Sequence, residues 1–343
     1  MSVPYRCPQC RSAADLFPEV GDATADQPDW SCGECGARYP VVCGIPDLRI
    51  AADRYIGIEA DRAKARGLAE RFDHVDLAGL VDHYFAITPE VPPELAARYR
   101  VGLLESGPAR VGPLLALADE RAGSQARDTR VLEVACGSGP FLPALAGRFD
   151  RIVAVDIALR WLVVARKRLL ELGIGEQVQL VCAGAEALPF EARSFDLVIA
   201  ANALEHVHDA PQMLRELQRT LAGGGTAAFT TPNRFSLGPD PHVGVWGIGF
   251  LPRSWQDPVA RRASGAGLEL IRTRGYGELR RLLAESGLGR SEFALPAVSQ
   301  ADLAHQGAVG RLLGRLYNAL RGWAVTRPLL LRLGPLFQIV ARH

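Results

Sequence analysis

The stretch VLEVACGSGPF, residues 131–141, decides how this chain is read. An apolar run reaches Val134 and leads into a glycine-bearing loop, after which a helix is expected to open at Pro140, a residue suited to the first helical position. Gly137 and Gly139 let backbone amides approach a ligand at the carboxyl edge of a parallel sheet, where doubly wound folds bind nucleotides. The next apolar run, RIVAVD, ends in Asp156, about 20 residues on, where a carboxylate can accept hydrogen bonds from both ribose hydroxyls. A dinucleotide-binding fold could use such a loop, but ACGSG lacks the GxGxxG spacing that suits a pyrophosphate.

Outward from this loop, short apolar runs alternate with helical segments, which predicts an α/β fold: a Rossmann-like seven-stranded, mostly parallel sheet with helices on both faces. The predicted strands are 130–135, 151–155, 178–182, 196–200, 226–231, 290–295 and 336–341, with a helix over 276–286. With the motif [D/E]-x-G-x-G-x-G matched by Glu133, Gly137 and Gly139, and with Ala135 in the first glycine slot, the segment from Arg130 onward resembles the class I S-adenosylmethionine-dependent methyltransferases, the type 11-like domain in particular. The resemblance continues through AGAEALPFEARSFDLVIAANALEHVHD (183–209) and LAGGGTAAFTTPNR (221–234). It implies that Asp156 holds the ribose with Ile157 beside it in the cofactor site, that Ala185 and Glu186 line the adenine, and that Asn202 to Glu205 close over the methionine end. Gly184 stands where many relatives have an adenine-contacting Asp, and the Ala135 methyl is expected to crowd the methionine moiety.

Methyl transfer asks the protein mainly for position and desolvation, since the cofactor brings the leaving group. A base is needed only where the acceptor loses a proton. His206, after the fourth strand at the mouth of the site, is the candidate, against the alternative that it caps the following helix or packs there. His208, His242, Tyr84 and His83 rank behind it. The ubiquinone-pathway O-methyltransferases, which this segment also resembles, carry an E-x-x-E-H cluster associated with a divalent metal. Here the first acid is Asn202, and losing it weakens a hard-cation site, so Mg²⁺ is not expected. The segment 232–265 is long for a connection and is read as a substrate-covering insertion, with Trp246, Phe250 and Trp255 as an apolar wall; a rigid surface loop is the alternative.

At the amino terminus, CPQC (Cys7, Cys10) and CGEC (Cys32, Cys35) bring four thiolates to one tetrahedral point, a closed site suited to structural Zn²⁺. Cys43 is a fifth thiol, read as packing, and the polar run 18–28 as an exposed excursion. The continuation ARYPVVCGIPDLR resembles zinc-ribbon modules whose second knuckle is followed by a YPI-x-xGIP-x-L strand and turn. The expected organisation is a zinc ribbon over 1–50, a helical cap or linker over 51–127, and a methyltransferase domain over 128–343, with a helical insertion at 299–333.

The chain has 343 residues, 39 Lys+Arg against 38 Asp+Glu, and 48% hydrophobic residues, so it is globular and carries no global field for nucleic acid. No apolar run reaches the ~18–20 residues of a membrane span, and no leader pattern stands near Met1; a cytoplasmic protein is expected. After Asp302 no acid appears, while Arg311, Arg315, Arg321, Arg327 and Arg332 punctuate an apolar stretch. At helical spacing this reads either as a peripheral contact with the inner membrane face through 305–333 or as a helix packed on the sheet. The leading function is S-adenosylmethionine-dependent methylation of a small or lipid-like metabolite at O, N or C. The alternatives are methylation of guanine in ribosomal RNA, whose enzymes also join a zinc ribbon to this fold, and a cofactor-binding scaffold without activity.

Overall fold

The computed structural model describes residues 5–12, 16–18, 29–91, 93–105, 108–122, 126–304 and 307–342, so most of the expected excursion between the knuckles, and the start of the 305–333 segment, lie outside the described residues. The chain begins with five short strands, β1 (Leu16–Pro18), β2 (Trp30–Cys32), β3 (Arg38–Tyr39), β4 (Val41–Val42) and β5 (Ile45–Pro46). Four helices follow: α1 (Ile58–Ala69), α2 (Leu77–Ala86), α3 (Pro93–Glu105) and α4 (Pro108–Ala122). The main sheet and its first crossovers are β6 (Arg130–Val134), α5 (Leu142–Ala146), β7 (Arg151–Asp156), α6 (Leu159–Glu171), β8 (Val178–Cys182), β9 (Phe195–Ala201), α7 (Ala210–Thr220) and β10 (Leu221–Pro232). The remainder is α8 (Arg253–Ser264), α9 (Tyr276–Glu285), β11 (Ser291–Ala294), α10 (Gln300–Ala304), α11 (Ala308–Leu320), α12 (Arg327–Leu333) and β12 (Leu336–Arg342).

All seven predicted strands form, in the order β11-β12-β10-β9-β6-β7-β8, with β12 reversed between β10 and β11. Strand order reverses at β6, whose neighbours are β7 on one side and β9 on the other. That switch point opens a crevice at the carboxyl ends of β6 and β9. β10 is longer than predicted because its register slips between Leu221 and Thr226, where Gly224 takes φ +77°. The helix expected at Pro140 opens later, at Leu142, with Pro143 in its first turn; Gly139 at φ +70° still turns the chain there.

The sheet is apolar on both faces. On one, Leu132, Val153 and Val181 meet α7 and α9 together with ribbon residues Cys7, Tyr39 and Leu48. α7 earns this place through Ala210, Met213, Leu214 and Leu217, one apolar stripe at spacings of three and four, and Asp209 caps it by accepting from the Gln212 amide. On the other face, Val131, Ile152 and Leu197 meet α5 and α6, with α1, α2 and α4 in the same packed layer. The Cys43–Gly44 turn between β4 and β5 has positive φ at both residues, the hairpin geometry that matches strand twist. Cys43 packs against the second of these layers.

Candidate functional site

The glycine loop after β6 and the Asp156 carboxylate meet at the switch point. Asp156 Oδ2 accepts from the Gly137 amide at 2.8 Å and Oδ1 from the Ala158 amide at 2.7 Å. Burial pushes this carboxyl up to about 6, against the pull of those two donors. Below the loop, Glu133 is buried with Oε2 unpartnered, and burial, then the Asp156 charge, push it up to about 8. Gly137 has φ +55° with open space above it, and a side chain on Gly139 would meet Leu142 at 2.7 Å. Ala135 occupies the left-handed region at φ +59°, where glycine is unstrained, and its side chain is exposed at the crevice.

Across β9, Asn202 also takes positive φ, +53°, a conformation Asn tolerates, and its Oδ1 accepts from the Thr230 hydroxyl. Its carboxamide is thus tied to β10. Glu205, His206 and, from the 232–265 insertion, His242 offer ligand atoms within 4.8 Å of one another, a spacing at which they could ligate a common cation. Glu205 is buried, with Oε2 accepting from Thr231 and Oε1 unpartnered, and burial pushes it up to about 7. His206 Nδ1 shares a 2.9 Å hydrogen bond with the Tyr55 hydroxyl. Burial, then His242 and Arg54, hold its imidazole down to about 4, so it is neutral at pH 7. It does not cap α7, a role Asp209 fills.

A family model described as a methyltransferase domain matches residues 132–229. The ubiquinone/menaquinone biosynthesis C-methyltransferase UbiE of Hahella chejuensis is 43% identical over 98 residues, 28% of this chain and 39% of that protein. The ubiquinone biosynthesis O-methyltransferase of Paracidovorax citrulli is 33% identical over 201 residues, 54% of this chain and 80% of that one. The chain belongs to the class I S-adenosylmethionine-dependent methyltransferases. A solved S-adenosylmethionine-dependent methyltransferase from Mesorhizobium loti is 19% identical, with TM-score 0.47 over 70% of this chain and 100% of that one.

In this family member the crevice fits S-adenosylmethionine: an unpartnered buried carboxylate, two glycines held at positive φ, and an acid at the end of β7 converge there. The Ile157 side chain stands near Gly184, while its carbonyl accepts from Arg49 at 2.9 Å. Ala185 is buried beside them. Glu186 Oε1 accepts from the amides of His208 at 2.8 Å and Asp209 at 3.4 Å, bracing the loop after β9, while Oε2 stands near Gly184. Of the expected apolar wall, Phe250 lines a cavity next to the insertion; Trp246 and Trp255 do not line it and are exposed. Tyr84 packs on Trp161 with ring centroids 4.3 Å apart, a core contact.

The four ribbon sulfurs also come together, with Cys7–Cys35 and Cys10–Cys32 each 3.7 Å apart. A tetrahedron with Zn–S bonds of about 2.3 Å has edges of about 3.8 Å, so the cluster fits a structural Zn²⁺. Sequence reading missed what ties this ribbon to the catalytic fold. Arg49, at its carboxyl end, pairs with Asp47 at 2.7 Å and with Asp61 of α1 at 2.6 Å, all three side chains buried. Asp61 in turn accepts from Arg160 at 2.5 Å and from the Leu159 amide at 2.8 Å, at the start of the helix that follows Asp156. The segment from Asp47 to Asp61 mixes several acids and arginines, Asp47, Arg49, Asp53, Arg54, Glu59 and Asp61 among them, and nothing in their spacing singles out the buried ones.

Proposed function

We propose that this chain methylates a small, lipid-like acceptor from S-adenosylmethionine while resting against a membrane surface through α11 and α12. The observation that carries the lipid-like acceptor is the orientation of α11. It buries Gly310, Gly314 and Tyr317 and turns its leucines outward, Leu312 at 68% exposure, and beyond it Trp323 is at 64%. Packing on the sheet would have buried the leucine face instead. Arg311 and Arg315 stand exposed on the same helix, the composition of an interfacial helix on an anionic surface. No helix among the described residues is long and apolar enough to cross a membrane.

When bound, S-adenosylmethionine supplies the methyl group on a sulfonium leaving group. In this reading Asp156 accepts the ribose hydroxyls, with Ile157 and Ala185 against the adenine, Glu133, Ala135, Gly137, Gly139 and Asn202 around the methionine end, and Glu186 bracing the loop above. His206, oriented through Nδ1 by Tyr55, offers Nε2 to the acceptor. As the acceptor's bond to the methyl carbon forms, its own proton becomes acidic and passes to that nitrogen, so a weakly basic, neutral imidazole suffices. The test is transfer of labelled methyl from S-adenosylmethionine to cell extract fractions. Label is expected in the organic-extractable fraction, and His206→Ala should slow its appearance roughly a hundredfold with cofactor affinity unchanged. Label confined to RNA, or none in any fraction despite cofactor binding, would overturn the reading.

A further inference from the structure

Beyond β10, a cavity of about 920 Å³ opens between the insertion, the start of α9 and the end of α12. Arg234, Arg280, Arg281 and Arg332 line it, and none of the four pairs with a carboxylate among the described residues. The one acid in its lining, Glu278, is already held by Arg253 at 3.2 Å, Arg274 at 3.6 Å and Arg272 at 3.8 Å. The chain as a whole is close to neutral, so this corner is a local excess of positive charge. Burial, then the Arg234 charge, hold the Arg253 guanidinium below its ordinary range, and burial together with Arg272 and Arg253 does the same to Arg274. These arginines repel one another, and an anion would relieve them.

The cavity is also aromatic. Phe235 and Phe250 lie with ring centroids 5.5 Å apart, and Arg234 sits over Phe235 and Arg280 over Tyr276 at 4.9 and 5.7 Å. The first turn of α9 opens into it: Gly275 provides no side-chain cap, and nothing stands within 4 Å of where a Gly277 side chain would begin. Arg274 Nη1 donates to the Leu204 carbonyl and the Arg272 amide to the Glu205 carbonyl, both at 2.8 Å. The segment that leads into the lining residues Gly275 and Tyr276 is thus bonded to the loop that carries His206. Its far rim, Arg332 and Leu333, belongs to α12, whose Leu329 is exposed.

We propose that this cavity binds the phosphate or diphosphate group of an amphiphilic acceptor, the arginines taking the anion and the phenylalanines and Tyr276 the adjoining apolar chain. Arg234 is anchored by the Gly249 and Leu251 carbonyls and Arg332 by the Pro328 carbonyl, none of which neutralises charge, and four guanidiniums with no carboxylate partner among the described residues suit a multiply charged headgroup better than a single carboxylate. Confinement to one concave, aromatic corner favours such a molecule over an RNA backbone, which asks for an extended basic track. The inference rests on the lipid-like acceptor proposed above and names its polar end.

Calorimetry on the full chain with farnesyl diphosphate, inorganic pyrophosphate and farnesol separates the sources of affinity. Farnesyl diphosphate is expected to bind at least tenfold more tightly than either fragment. The double variant Arg280→Ala/Arg332→Ala should weaken it tenfold or more while S-adenosylmethionine affinity holds, and Arg166→Ala on α6 should change neither. Farnesol binding as tightly as the diphosphate, pyrophosphate doing so alone, single-stranded RNA displacing the probe, or an unaffected double variant would each overturn the proposal. The readout needs no turnover, so lost methyl transfer with intact diphosphate binding would count against the proposed function and not against the cavity.

Discussion

Asp61→Ala should cost about 3 kcal/mol of folding stability, more than any surface ion pair of this chain could. The carboxylate is fully buried and accepts three hydrogen bonds, from Arg49, Arg160 and the Leu159 amide. Removing one partner of a buried pair typically costs ~3–5 kcal/mol, because the charge left behind stays desolvated. Here the low end applies: Arg49 keeps Asp47 and the Ile157 carbonyl, and Arg160 keeps Asp53 at 3.1 Å. The comparison is Asp150→Ala, which breaks a pair with Arg127 whose side chains are both more than half exposed and should cost ~0–1 kcal/mol. Equilibrium urea unfolding followed by circular dichroism, at matched slope, measures both. A loss below about 1 kcal/mol for Asp61→Ala would refute the claim that this network joins the ribbon to α1 and α6.

Asp156→Ala should weaken S-adenosylmethionine binding by about 1.5–3 kcal/mol in calorimetry, the range for charge-assisted hydrogen bonds; unchanged affinity would place the ribose elsewhere. Metal analysis should find about one zinc per chain, and Cys10→Ser or Cys35→Ser should lower that content, since each removes a ligand of a closed tetrahedral site. Glu133 is raised in the folded state to about 8, so its contribution to stability is full below its unfolded value near 4.5 and is lost as pH rises through about 8. The cofactor-free chain should therefore lose stability between pH about 5 and 8, and Glu133→Gln should make that decline shallower; an identical profile would mean the carboxylate is hydrated.

What could be read in the sequence follows from how local each signal is. The strands are legible because a sheet covered on both faces demands continuous apolar runs, and the 131–141 loop because a turn at positive φ selects glycine. The CxxC pairs are equally local. His242 joins Glu205 and His206 only because the insertion folds back over β9, a contact no spacing announces. The arginine corner escapes notice for the same reason, its members coming from the β10 loop, α9 and α12. Asn202 reads in sequence as a lost metal ligand, whereas in the fold it fills a left-handed position and bonds Thr230.

The ribbon's attachment has one more consequence. β8 is the outermost strand of the main sheet, and an open strand edge is a template for pairing with another copy of the same chain. Here Asp47 bridges to Cys182 and the Leu48 amide donates to the Cys182 carbonyl at 2.7 Å, so the segment leaving the ribbon screens the end of that edge. A zinc ion on the four cysteines would, by holding the ribbon folded, also guard solubility: chelating it should uncover Val178–Cys182 and lead to concentration-dependent association of chains whose main sheets are still intact.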